Sequence, residues 1–316
     1  MQAIVLHTPG DAHVLQLETV PTPTVRPGWS LLQVKGFGIN RSEIFTRNGW
    51  SPSVTLPRIL GIEAVGVIAD TTDPARLPVG QRAVTLMGGL GRDFDGGYAE
   101  YVLVPNVQLY PVTTDLSWPE LAAVPETYFT AYGSLRNLQL TTDDTLLIRG
   151  ATSGVGVAAA KLAQAMGVHQ LIGSTRNLAK TPQLQAVGFD RVVEERDGVL
   201  QVPPATADKV LELVGPLTMT DSLRVLKPGG IACVTGELGG VWSADFDPIT
   251  ALPPDAYLTA FSSGSVTEAK FQAMLDLITA HRLDVTPTRV FTLAETADAQ
   301  AFLDSHASFG KVVVCP

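Results

Sequence analysis

The residues best suited to chemistry lie in one stretch, TLLIRGATSGVGVAAAKLAQAMG, covering 145–167. Gly150, Gly154 and Gly156 stand in a loop of small residues, after an apolar run (Leu146, Leu147, Ile148) and before small helix-forming residues. Glycines in a strand–loop–helix turn let the main chain approach a ligand closely. The first amides of the helix and its dipole then favour a pyrophosphate. The spacing is a variant of G-x-G-x-x-G, a weak signal alone that gains weight from the strand before it, the helix after it and the βα units that follow. Gly150, Ala151, Ser153, Gly154, Val155 and Gly156 are therefore the expected dinucleotide contacts. Tight packing of helix on strand is the plainer alternative.

A second group tells which dinucleotide. In the NAD pattern an acidic residue about 20 positions on binds the ribose 2′-hydroxyl. This chain reads QLIGSTRNLAK there, with hydroxyls at Ser174 and Thr175 and positive charge at Arg176 and Lys180. A carboxylate repels a 2′-phosphate, whereas this set welcomes one, so NADPH is expected over NADH. For Arg176 and Lys180 the competing reading is an ordinary solvated helix start. The missing acid also weakens a methyltransferase reading. A short-chain dehydrogenase would need Tyr-x-x-x-Lys after the loop, but the only tyrosine beyond it, Tyr257, is followed four residues later by Phe261.

Metal and thiol chemistry find little support. Cys233 and Cys315 sit in apolar, strand-like runs and read as small buried hydrophobes. His7, His13, His169, His281 and His306 are scattered, none at ligand spacing from another.

The elements that must position these residues change in texture along the chain. Residues 1–118 carry short β-type runs (AIVL, VLQLETV, SLLQVKGFGI, AVGVIA, RAVTLM, YAEYVLV) divided by Pro- and Gly-rich turns, the habit of a β-rich domain. Within 119–259 apolar strands alternate with helical stretches, which argues for a doubly wound parallel sheet. Ser117 and Glu120 form a capping-box pattern at its entry, and a helix over 153–166 should follow the glycine loop. From 260 to 316, Phe271, Met274, Leu275 and Ile278 mark an amphipathic helix. FTLAETADAQAFLDSH reads as a second helix, and GKVVVCP as a closing strand that returns to the first domain.

The bulk numbers narrow the class. At 316 residues two domains are expected. A net charge of −9, with no basic run, argues against a nucleic-acid partner. No run of about 18 apolar residues offers a membrane span. MQAIVLHTPG reads as a strand and a turn rather than a secretory signal, so a cytoplasmic location is expected.

With a β-rich segment first, a nucleotide domain in the middle and a return at the end, the chain resembles the medium-chain dehydrogenase/reductase superfamily. The residues that carry the resemblance are GINRSEIFTRNG, ILGIEAVGVI, GQRAV, DGGYAEYVLVP, PETYFTAYGSL, RGATSGVGVAAAKLA, LELVG, SLRVLKPGG and GKVVV. Their order and spacing are most similar to its zinc-free quinone oxidoreductase branch, the zeta-crystallin-like proteins. The resemblance implies a Rossmann domain (119–259) inserted into a β-rich, GroES-like catalytic domain (1–118 and 260–316), NADPH as cofactor, a small quinone or enone as acceptor, and a homodimer. Where zinc-dependent members keep a Cys and a Gly-His-Glu, this chain has Asn40 and Gly-Ile-Glu with Ile62, and its two cysteines cannot build a structural zinc lobe. No metal is expected.

Without a Lewis acid, an acceptor that takes hydride at a conjugated position is the easier substrate, its oxygen steadied by hydrogen-bond donors. The resemblance places Asn40 near the acceptor oxygen and Thr130 near the nicotinamide, with Phe45, Trp50 and Tyr128 around the pocket. It puts Val214, Gly236, Leu238, Phe261 and Lys311 against the cofactor. Relatives often carry a tyrosine at Phe45, and Asn-Tyr-Arg in place of Glu194, Glu195 and Arg196. Glu195 counts against a 2′-phosphate unless it points away. Glu63 and Glu126 are expected to serve structure more than acid catalysis. An NADPH-binding sensor or structural protein without turnover is the rival reading.

Overall fold

Short runs of β-branched and aromatic residues between Pro- and Gly-bearing turns become the strands of the first segment. They are β1 (Gln2–Leu6), β2 (Leu15–Thr19), β3 (Trp29–Gly38), β4 (Arg58–Ile59), β5 (Glu63–Thr71), β6 (Arg82–Leu86), β7 (Tyr101–Pro105) and β8 (Tyr110–Pro111), with helix α1 (Arg41–Arg47) after β3. Helices α2 (Trp118–Ala122) and α3 (Pro125–Asn137) follow, and Glu120 accepts from both Ser117 N and Ser117 Oγ at the start of α2. The computed structural model describes residues 1–305 and 307–316, so His306 lies outside the described residues. Two compact units emerge, Met1–Thr127 with Gly264–Asp276 and Asp284–Pro316, and Tyr128–Ser263 with Leu277–Leu283.

The middle of the chain alternates β9 (Thr145–Arg149), α4 (Gly154–Ala165), β10 (Gln170–Thr175), α5 (Thr181–Val187), β11 (Arg191–Arg196), β12 (Val199–Leu200), β13 (Ala207–Glu212), α6 (Met219–Arg224), β14 (Leu226–Val234), α7 (Pro248–Ala251) and β15 (Tyr257–Ala260). Their sheet runs β12-β11-β10-β9-β13-β14-β15, parallel except for β12. Setting β12 aside and counting from β9, the order is that of the doubly wound dinucleotide fold, and it reverses between β9 and β13. Ligands of such sheets bind beyond the carboxyl ends of the strands at that point. Leu147, Ile172, Val210, Leu223 and Ala232 fill the core beside it.

The tail supplies α8 (Glu268–Ala280), β16 (Arg289–Thr292), α9 (Thr296–Asp304) and β17 (Val312–Cys315). β17 pairs antiparallel with β3, Val313 opposite Gly38, and so joins the sheet β16-β17-β3-β5-β6-β8. β2-β1-β4 form a smaller sheet, and Ile4, Leu32, Phe37, Leu60 and Tyr98 lie in the shared core. FTLAETADAQAFLDSH is not one helix. Phe291 pairs with Val314, and Glu295 reaches back to Thr292 N, so the chain leaves a strand before α9 begins. Pro182 falls in the first turn of α5, the one helical position where its missing N–H costs nothing.

Candidate active site

In the second unit the glycine loop closes around itself. Ser153 caps α4 by accepting from Gly156 N at 3.1 Å while its hydroxyl donates to Gly150 O at 2.7 Å. A Cβ at Gly156 would stand 2.6 Å from Gly150 O, so only glycine lets the helix start this close to the strand end. The amides of Gly154 and Val155 have no carbonyl one turn back, as at every helix start, and are available to an anion. Gly150 packs beside Leu213, Val214 and Leu238. Leu238 N donates to Leu213 O, and Gly236 N to Glu212 O. The expected residues Gly150, Val214, Gly236 and Leu238 thus meet at the point where the strand order reverses.

At the end of β10 the four expected residues divide. Ser174 is buried and accepts from Gly150 N at 3.1 Å, so it holds the loop. Thr175 turns its hydroxyl to the main chain of Asn177. Arg176 is exposed, and Lys180 has its pKa lowered by partial burial and then by the Arg176 charge. Two cations this close are relieved by an anion. The carboxylate beside Thr175 in the register is Glu194, which pairs with Arg196. Glu195 points elsewhere, 8% exposed with its carboxylate 3.0 Å from Arg149 Nε. The residues present fit a dinucleotide carrying a 2′-phosphate.

Arg149 was not legible as a functional residue. Fully buried at the end of β9, it also binds Asp221 and Ser222 and donates to Thr218 O and Gly198 O. Glu212, buried at the end of β13, accepts from Val214 N at 2.6 Å, Gly215 N at 3.0 Å and the hydroxyls of Thr218 and Ser222. Burial pushes its carboxyl pKa up. This cluster ties down the loop that carries Val214. On α3, Tyr128 and Thr130 are buried, and Thr130 O accepts from Ser134 Oγ, which also meets Thr235 Oγ1. The Phe261 ring lies against Gly133, 6.2 Å from the Phe129 ring.

The first unit holds a different polar group. Lys311 Nζ donates to Asn40 Oδ1 and to Glu63 Oε1, each at 2.7 Å. Asn40 Nδ2 donates to the same Glu63 oxygen at 2.8 Å, and Glu63 Oε2 accepts from Glu126 N at 2.7 Å. Behind them Glu43 accepts from Asn40 N, Ile62 N and the Tyr98 hydroxyl. Burial raises the pKa of Glu43, and burial followed by the Glu43 charge raises that of Tyr98. Sequence reading missed Glu43 and Tyr98, although Asn-x-x-Glu at 40–43 is a capping pattern that marks Glu43. Phe45 and Trp50 stack with centroids 5.4 Å apart, and Trp50 stays half exposed. A cavity of about 500 Å³ in this unit, lined by Trp29, Phe94, Ile59 and Val102 among others, contains none of these residues.

Zinc does not fit these side chains. Ile62 is a buried hydrophobe, and both Glu63 oxygens are engaged, one of them by an ammonium. Among the described residues no three His, Cys, Asp or Glu side chains gather into a metal-binding group, whereas catalytic zinc takes about three protein ligands.

Comparison with known proteins agrees with this architecture. Residues 26–114 match the model of the Alcohol dehydrogenase GroES-like domain, and residues 187–314 that of the Zinc-binding dehydrogenase family. The chain belongs to the medium-chain dehydrogenase/reductase superfamily, as a quinone oxidoreductase-like member. Among relatives within this superfamily, the quinone oxidoreductase of Lama guanicoe is 28% identical over 293 residues, which cover 87% of this chain and 84% of the relative. The crystal structure of AibC superposes with a TM-score of 0.85 at 29% identity, covering 100% of this chain and 96% of that one. The quinone oxidoreductase of Pseudomonas syringae pv. Tomato DC3000 gives 0.87 at 25% identity, covering 100% and 99%.

Proposed function

We propose that this chain is an NADPH-dependent oxidoreductase that transfers hydride to a quinone or α,β-unsaturated carbonyl compound without zinc. The observation that carries the reading is the dinucleotide turn at the sheet's reversal point, with Arg176 and Lys180 beside it. NADPH would be held by Gly150, Ala151, Ser153, Gly154, Val155 and Gly156 at its pyrophosphate. Ser174 and Thr175 shape the 2′-phosphate end, and Val214, Gly236, Leu238 and Phe261 line the rest. Bound there, the reduced dinucleotide supplies a hydride. Thr130 orients the nicotinamide, Asn40 lies beside the acceptor oxygen, and Phe45, Trp50 and Tyr128 wall the acceptor. The identity of the quinone oxidoreductase relatives, below 30%, supports the reaction class more than the particular acceptor.

Following nicotinamide absorbance against a panel of quinones and enones tests this. Consumption of NADPH in preference to NADH is expected. Binding of NADPH without consumption would instead favour a sensor without turnover, a reading that draws on the tied state of both Glu43 and Glu63. No helix among the described residues is long and apolar enough to cross a membrane. The free edge at β15, where Tyr257 is exposed, is the proposed face of a homodimer, to be checked by light scattering.

A further inference from the structure

We propose that Lys311 is the catalytic electrophile of the site, donating an N–H to the acceptor's carbonyl oxygen as negative charge collects there. This rests on the reductase reading above and assigns it a residue. An ammonium carries three N–H groups, and two of those on Lys311 go to Asn40 and Glu63. Both partners are fixed from behind, Glu63 by Glu126 N and Asn40 by its own bond to Glu63. Tetrahedral geometry therefore aims the third N–H away from them, and Lys311 keeps 8% exposure.

The backbone makes room for this arrangement. A Cβ at Gly38 would lie 2.2 Å from Lys311 Cε and 2.3 Å from Glu63 Oε1, so the pair occupies the space a side chain would fill. The cation stands beside Asn40 and Glu63, in the motifs where zinc-dependent relatives carry metal ligands. A fixed positive donor in a nearly water-free setting does for an oxyanion what a Lewis acid does, without reorganising at the moment of reaction. The acceptor carbon gains hydride and its electron pair, and the dinucleotide is oxidised. The charge shifts to oxygen against the Lys311 N–H, and a proton from water completes the product. Lys311 keeps its own proton.

Because Lys311→Met alone strands a buried carboxylate, the test uses Lys311→Met/Glu63→Gln, which removes both charges. NADPH affinity, turnover and the spectrum of added 4-nitrophenol are measured beside wild type. The expected result is kcat at saturating NADPH lower by about 100-fold or more, and loss of the phenolate spectrum that wild type imposes on the bound probe. Lys311→Arg should recover part of both. Retained kcat in the double variant would overturn the proposal, as would a fall in NADPH affinity with kcat intact, or a wild type that does not favour the phenolate. A wild type that binds NADPH but reduces no acceptor would instead sink the reductase reading, and this assignment with it.

Discussion

Substituting Gly38 by alanine probes the ion pair from the backbone side. The new Cβ would sit 2.2 Å from Lys311 Cε, 2.3 Å from Glu63 Oε1 and 2.5 Å from Lys311 Nζ, against 3.4–4 Å for ordinary contact. The pair must retreat by roughly 1 Å, and overpacking of this kind costs about 1–3 kcal/mol. Alanine recovers about 0.5–1 kcal/mol because glycine is entropically poor in a strand, which leaves a net loss of about 0–2.5 kcal/mol. Lys311→Ala, by stranding Glu63, should cost about 3–5 kcal/mol. With the lysine gone, the alanine methyl meets only Glu63 Oε1, which can turn toward the vacated space while Glu126 N still holds the other oxygen. The double variant should therefore be more stable than the sum of its parts by about 1–2 kcal/mol. Urea denaturation followed by tryptophan fluorescence reads this unit well, since Trp29, Trp50 and Trp118 lie in it and only Trp242 lies outside. Additivity within about 0.5 kcal/mol would refute the packing argument.

Removing both Arg176 and Lys180 as alanines should weaken NADPH binding by about tenfold to a hundredfold, after discounting for their solvent exposure, and leave NADH binding unchanged; fluorescence titration with each dinucleotide measures it. Arg149→Met leaves Glu195, Glu212 and Asp221 without their shared cation and should cost about 3–5 kcal/mol, seen as a lowered melting temperature. Burial raises the Glu43 pKa above the ordinary carboxylate value, so the folded chain binds that proton more tightly than the unfolded chain. Stability from this group is full below the unfolded value and is lost as pH rises through the folded one. The stability of wild type relative to Glu43→Gln should therefore shrink as pH rises from acid toward neutral in paired urea titrations.

Local pattern made the nucleotide half of the molecule readable. Short apolar strands, the glycine loop and the Ser117–Glu120 cap are local signals, and each appears where its spacing placed it. The polar groups were harder to see because they are assembled over distance. Lys311 reaches Glu63 across 248 positions and Tyr98 reaches Glu43 across 55, and no window of sequence holds either pair. Nothing local marks Arg149 or Glu212, which stand at strand ends, yet both are fully buried and tied to loops, in the case of Arg149 one distant in sequence. The start of α9 was misplaced for a related reason. FTLAET is compatible with a helix until β17 offers it a partner.

The proposed reaction is hydride transfer from NADPH to a conjugated acceptor without a metal. The most direct test supplies NADPH deuterated at the transferring position of the nicotinamide to metal-stripped protein, with chelator present, and analyses the reduced enone by mass spectrometry. Deuterium is expected on carbon in the product, at a rate that neither chelator nor added zinc changes. An unlabelled product, or a reaction that appears only when zinc is restored, would contradict it.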